Sequence, residues 1–378
     1  MGGRRSGAWI SGSLILGLAM LASAPSPPAV VQEWPWQLPP GVPAPRVPED
    51  NPMTQEKVDL GRHLFYDTRL SGNQTQSCAT CHKQELAFTD GLARAVGSTG
   101  EVHPRGSMSL TNVAYFSALA WGDPNLHSLE EQQRGPLFGA APVEMGMGGR
   151  EDELLDRLRA SSVYPAMFAA AFPEDDDPFT IARILDAIAS FERTMVSFQS
   201  PYDRRVLWRD RGRVPQEVRL GEELYFSDRM GCVECHDAPL FTNSVAYAGR
   251  ARVIREFFNT GLYDVDGRGS YPEPNTGTHA ISGRVADMGA FRAPTLRNIA
   301  VTGPYMHDGS IETLDEVLRD HYQLGGRNRS ALTSPLMVRF GLSSHERAAV
   351  IAFLETLTDE VFLTDPSLSD PWAERDER

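Results

Sequence analysis

The sequence predicts a mainly α protein made of two helical domains related by duplication. Three observations carry this reading: a segment that recurs at a constant offset, apolar side chains at helical spacing between the copies, and weak strand signals throughout. The segment runs Leu60-Gly61-Arg62-His63-Leu64-Phe65-Tyr66-Asp67-Thr68-Arg69-Leu70 and recurs as Leu220-Gly221-Glu222-Glu223-Leu224-Tyr225-Phe226-Ser227-Asp228-Arg229-Met230. Leu, Gly, Leu and Arg coincide, and an aromatic pair holds the same place in each. Two copies this far apart imply duplicated domains, not a solenoid of short repeats.

Glu151 to Arg159 reads as a short charged helix with Leu154, Leu155 and Leu158 on one face. Ile181 to Phe198 carries Ile184, Leu185, Ile188, Phe191 and Met195 at helical intervals, with Thr180 placed to cap it. Ser343 and Glu346 form a capping box that opens a helix through Leu357. Gly/Pro-rich stretches, above all Asp264 to Phe291, read as ordered loops over a site or as a mobile cover. The chain divides into a leader over 1–24, a proline-rich lead-in over 25–50, domains over 51–210 and 211–364, and a polar tail over 365–378.

The 378 residues suffice for two domains with their own cores, and 41% apolar with 23% charged residues is the composition of a soluble globular protein. A formal net charge of −14 excludes nucleic acid as a partner, because phosphate binding needs basic surface. Arg4 and Arg5, the apolar stretch from Ile10 to Ala22, and Ala22-Ser23-Ala24 together read as a cleavable secretory signal. A retained anchor is the alternative, but the stretch is short for a span and no positive stop follows it. With the signal removed, no stable membrane span is expected.

The four cysteines lie in two identical frames, Cys78-Ala79-Thr80-Cys81-His82 and Cys232-Val233-Glu234-Cys235-His236. Cys-x-x-Cys-His is the attachment signal for c-type haem. Two thiols on one helical turn reach the two vinyl groups, and the next histidine lies beneath the iron as its proximal ligand. Zinc or disulfide chemistry can mimic one such motif. Two copies that use every cysteine of an exported chain point to two haem c groups, one per cytochrome c-like domain, and to a periplasmic location.

Further residues resemble a known family. Phe291-Arg292-Ala293-Pro294-Thr295-Leu296-Arg297-Asn298-Ile299, then Thr302-Gly303-Pro304-Tyr305-Met306-His307-Asp308-Gly309-Ser310, is similar to the C-terminal signature of bacterial dihaem cytochrome c peroxidases and MauG. The resemblance covers most of the chain after Leu60. Trp36-x-Leu38-Pro39, Asn51-Pro52-Met53-Thr54, Pro136-Leu137-Phe138-Gly139 and Asn259-Thr260-Gly261-Leu262-Tyr263 resemble the MbnH-type subgroup more narrowly.

The resemblance implies that the N-terminal haem, on His82, meets hydrogen peroxide. Glu144 matches the family's general acid/base, which moves a proton between the peroxide oxygens. Gln132 matches a glutamine at the same open face and Pro136 a residue packed over it, although the connection from Pro136 to Glu144 is longer than usual. Glu130 and Glu131 are competitors for Glu144, and a solvated loop carboxylate is its plain alternative. Trp121 matches the tryptophan that relays oxidising equivalents between the haems; a core indole is its plain alternative. Trp208 is a candidate by type without a motif.

The sixth ligand of the C-terminal haem falls on His321 by register from Pro304, while Tyr322 fits the subgroup's pattern His321-Tyr322-Gln323-Leu324-Gly325-Gly326. Both stay open as iron ligands. Met306 and Met337 stand outside that position, and His307 reads as a supporting residue near the same haem. The family also implies a calcium ion between the domains, near Thr302 and Pro304. Its asparagine position falls here on Gly106, with Asn112 six residues on, a departure from the pattern.

The function expected is peroxide-dependent oxidation of a tryptophan or tyrosine on a periplasmic partner protein by long-range electron transfer. The alternative is a peroxidase fed by a small donor cytochrome, with the second haem tuned by methionine. A pure electron carrier would need strong ligands on both irons.

Overall fold

The computed structural model describes residues 1–3, 34–251 and 253–373, so the secretory segment lies outside the described residues. Contacts divide the chain at Trp34, and the folded body is Pro35–Arg378. No helix among the described residues is long and apolar enough to cross a membrane. The body is mainly helical, with one two-stranded antiparallel sheet.

Two helix pairs carry the duplication. The first joins α1 (Gln55–Phe65) to the longer helix Ile181–Arg193. Between them in sequence lie α2 (Glu151–Arg159) and α3 (Tyr164–Ala171), which makes Ile181–Arg193 α4. The second pair is α5 (Gln216–Tyr225) with α6 (Ser344–Glu355). The repeated glycine explains both crossings. A Cβ at Gly61 would stand 1.9 Å from the Ala187 carbonyl oxygen, and one at Gly221 would stand 1.9 Å from that of Ala349. Only glycine lets the two backbones approach so closely, at some expense in helix propensity. Phe191 follows the first contact and Phe353 the second, and both are fully buried.

Caps fall where the sequence put them. The Thr180 hydroxyl accepts from the Arg183 N–H, and Ser343 and Glu346 exchange bonds at the start of α6. The helix expected to reach Phe198 ends at Arg193 instead. Met195 to Phe198 leaves the helix because Ser197 pairs both backbone groups with the Asn112 amide, at 2.8 and 3.0 Å. That tertiary exchange outweighs local periodicity.

The Gly/Pro-rich stretch from 264 to 291 is an ordered cover. Strand β1 (Phe257–Asn259) pairs with β2 (Ala290–Arg292), Phe258 opposite Phe291. Buried Tyr271 donates its hydroxyl to Asn259 Oδ1 at 2.9 Å and accepts from the Leu262 N–H. The segment read as a polar tail lies against the first helix pair: Arg62 Nε donates to the Ser369 carbonyl at 2.6 Å, and Trp372 Nε1 to that of His63 at 3.1 Å.

The two halves are also joined by buried charge. Arg297, fully buried, grips Asp203 through two bonds of 2.7 and 2.8 Å, and its Nε donates to the Pro239 carbonyl. Such a pair contributes through geometry and satisfied donors more than through net Coulomb energy.

Candidate functional site

Both Cys-x-x-Cys-His segments fold as single tight turns with the thiols on one side. Cys78–Cys81 is one helical turn, entered where Ser77 N–H donates to Thr80 Oγ1; Cys232–Glu234 is a tighter 3₁₀ turn. His82 Nδ1 donates to the Phe88 carbonyl at 2.7 Å, and His236 Nδ1 to that of Pro294 at 2.9 Å. Each bond fixes the ring and leaves Nε2 as the free ligating atom. The carbonyl at Phe88 is aimed by a left-handed residue (φ 60°), and Phe241, at the equivalent place in the second copy, is also left-handed (φ 51°). Burial holds both imidazoles below the ordinary histidine range, His236 near 4, so each is neutral and able to bind metal.

An apolar cavity opens beside the second motif. Cys232, Cys235 and His236 line it, with Tyr322 and Met337 in the wall and Trp121 toward the first half. Two polar atoms in this wall are orphaned. Arg292 Nε and His307 Nε2 are buried without a hydrogen-bond partner; Arg292 Nη1 donates to the Ala118 carbonyl at 2.9 Å, and among the described residues no carboxylate pairs with the guanidinium. Burial pulls Arg292 down to about 9 and His307 to about 4. An unmatched buried cation is costly, so the cavity calls for an anionic ligand. A planar apolar macrocycle with carboxylate arms, thioether-bound at the cysteines, supplies both the apolar contact and the missing acceptors. The residues fit haem.

The ligand candidates separate by position. Tyr322 lines the cavity, whereas His321 is fully buried, is not in its wall, and accepts the Arg327 N–H on Nδ1 at 3.2 Å. Both close a wide π-type turn over Val317–Tyr322, a helical irregularity common at functional sites. Burial and the nearby Cys235 and Cys232 sulfurs push the Tyr322 phenol well above its ordinary range. Met306 and Met337, set aside by register, also line the cavity.

At the first motif, burial chiefly raises the Cys78 and Cys81 thiols, and the Glu144 carboxylate adds a smaller electrostatic push on both. Burial raises the pKa of Glu144, and the His103 ring, itself held below the ordinary histidine range by burial, stands 3.7 Å away. The long connection from Pro136 closes on itself, the Met145 N–H donating to the Pro136 carbonyl at 2.9 Å. Gly97 lets that loop close in, since a Cβ there would meet the Val143 carbonyl oxygen at 1.9 Å. The competitors are otherwise placed: Glu130 pairs with Arg193 at 2.6 Å and with Asn51, and Glu131 is exposed. Gln132 is half-buried at the end of the turn Leu129–Gln132, next to Gln133.

Sequence reasoning missed two features. Glu192 is buried, accepts from Gln133 Nε2 at 3.0 Å, acts on Cys78, and is raised by burial to about 8. Its place inside an amphipathic helix hid it. The second is a further duplicated stretch: Leu110-x-Asn112-Val113-Ala114 parallels Leu296-x-Asn298-Ile299-Ala300. Both asparagines are left-handed, φ 58° and 60°, and each starts a 3₁₀ turn. Counting on equally from each, Trp121 corresponds to His307. Trp121 Nε1 donates to the Gly106 carbonyl at 3.0 Å, and its own carbonyl accepts the Arg292 N–H at 2.9 Å. Asn112, held by Ser197, is not free to serve as a calcium ligand.

Residues 55–211 match the family model for di-haem cytochrome c peroxidase. The chain is 38% identical over 315 residues to a methylamine utilization protein MauG of Methylorubrum extorquens, covering 83% of this chain and 81% of that one. It is 34% identical over 375 residues to cytochrome-c peroxidase IdrP1 of Denitromonas iodatirespirans, covering 94% of each. Among solved structures, a MauG-like protein associated with microbial copper homeostasis superposes with a TM-score of 0.87 at 45% identity, over 90% of this chain and 99% of that one.

Proposed function

The chain belongs to the dihaem cytochrome c peroxidase family, which makes it a peroxidase-type oxidoreductase with haem c, and on that premise we propose that it oxidises a partner protein with hydrogen peroxide. The partner surrenders two electrons from a tryptophan or tyrosine side chain, and peroxide with two protons becomes two waters. We place this reaction in the periplasm, on the strength of the leader read at residues 1–24. Haem, when bound, supplies the redox chemistry and the point where peroxide reacts.

The residues of the chain do the rest. Glu144 holds and moves a proton beside the first attachment site, because burial keeps its carboxyl closer to neutral pH. Gln132 and Pro136 shape that face. Trp121, tied by its carbonyl to Arg292 and lining the second cavity, is the relay between the halves. Tyr322 and His236, which line the same cavity, would together hold the iron of the second haem. A phenolate is a hard donor that favours oxidised iron, which suits withdrawal of electrons from a distant side chain.

The observation that carries this reading is a tyrosine in the cavity wall shared with Cys232, Cys235 and His236. Met306 and Met337 in the same wall, together with relatives named as cytochrome-c peroxidases, favour a second reading, a peroxidase fed by a donor cytochrome. Peroxide added to the diferric protein separates the two. A long-lived near-infrared absorbing state without prior reduction, abolished in Tyr322→Phe with haem content intact, supports partner oxidation. A methionine–iron charge-transfer band and activity only after one-electron reduction would replace it with the second reading.

A further inference from the structure

Away from the haem sites, the connection between the halves carries the opposite charge to the molecule. Arg204, Arg205, Arg209, Arg211 and Arg213 lie within one short stretch of a chain whose net charge is −14. Among the described residues only Arg205 of these five meets a carboxylate, Glu222 at 2.7 Å. Arg204 donates Nε to the Gln199 carbonyl, and Arg209, Arg211 and Arg213 are exposed without an acidic partner. Asp210 stands exposed between Arg209 and Arg211 and forms no ion pair among the described residues, while Asp203 is fully buried and taken by Arg297.

The stretch is folded. Leu207 and Trp208 N–H donate to the Asp203 carbonyl, Asp210 N–H donates to that of Arg204, and Trp208 Nε1 to that of Phe198 at 2.8 Å. Its side chains wall a groove against the turn after α6: Arg204, Arg205 and Arg213 with Asp210, Glu360 and Val361. Val206 and Trp208, each 39% exposed, add apolar area beside the charged residues.

We propose that this groove, together with the adjoining exposed Arg209 and Arg211, docks an acidic segment of the partner protein, an inference that rests on the protein-oxidation reading above. Unpaired guanidinium forks bind carboxylates bidentately. The geometry favours a protein segment over an anionic bilayer, because the site is concave and local. A flat negative surface would also face the acidic remainder of the molecule and be repelled.

The test uses the mature holoprotein and a fluorescein-labelled octaglutamate peptide, read by anisotropy, with phosphatidylglycerol vesicles as a separate arm. Binding should weaken at least about tenfold between low and physiological salt, and by a similar factor in the Arg209→Glu/Arg211→Glu/Arg213→Glu variant. Peroxide reactivity of that variant should be unchanged. Peptide binding that is absent, or equal in the variant, overturns the proposal, as does stronger capture by the vesicles than by the peptide. Peptide binding that persists where no partner side chain is oxidised refutes the protein-oxidation reading and leaves the cationic groove standing.

Discussion

The two haem sites share a frame and differ in what faces it. Each has a glycine-crossed helix pair, a Cys-x-x-Cys-His turn, and a histidine whose Nδ1 is fixed by a backbone carbonyl. The first then faces carboxyls, Glu144 and buried Glu192, which act on Cys78. The second faces a phenol, two thioethers and an unmatched guanidinium, with Tyr322, Met306, Met337 and Arg292 all lining its cavity. Carboxyls therefore collect at one site, and a phenol, thioethers and a guanidinium at the other. The helix pairs match, and the loops between them supply different side chains to the two sites.

The largest expected effect attacks that asymmetry at the first site. Glu144→Gln should slow the reaction with peroxide by about 10²–10⁴-fold while both haem spectra stay intact, measured by stopped-flow absorbance. An unchanged rate would pass the proton-handling role to Glu192. Next comes the shared frame. Gly61→Ala and Gly221→Ala should each destabilise by about 1–3 kcal/mol through overpacking, read from the denaturation midpoint. Similar losses at both positions are expected; a loss at only one would mean that the two crossings are not equivalent.

The smallest effect is a pH dependence at Glu192, whose folded carboxyl titrates near 8 against an ordinary 4.5. Between those values the folded state holds a proton that the unfolded chain has lost, so stability falls as pH rises through the window and levels off above it. Glu192→Gln should flatten that decline, which urea titrations from acid to mildly alkaline pH would reveal. A slope that survives the substitution assigns it to other groups.

Much of the frame was legible in the sequence because it is local. Capping residues, helical spacing at Leu154 and Leu158, and the Cys-x-x-Cys-His pairs each depend on neighbours a turn away. What escaped depends on distant contacts. The end of α4 at Arg193 is set by Asn112, and the repeat of Gly61 at Gly221 was visible while its reason, the carbonyls of Ala187 and Ala349, was not. His321 and Tyr322 could not be separated by counting because a π-type turn changes how many residues complete each turn, and so which side chain meets the cavity. The orphaned Nε of Arg292 is invisible in a string of letters, since its missing partner is a property of the packed cavity.

The return of Leu368 to Trp372 onto α1 has a consequence for truncation. Tyr66 gives its hydroxyl to the Leu368 carbonyl, and Arg62 and His63 hold Ser369 and Trp372. Helix α1 is thus sealed by residues 302 to 309 positions further along the chain, and a variant lacking the residues after 364 would leave one flank of α1 wet.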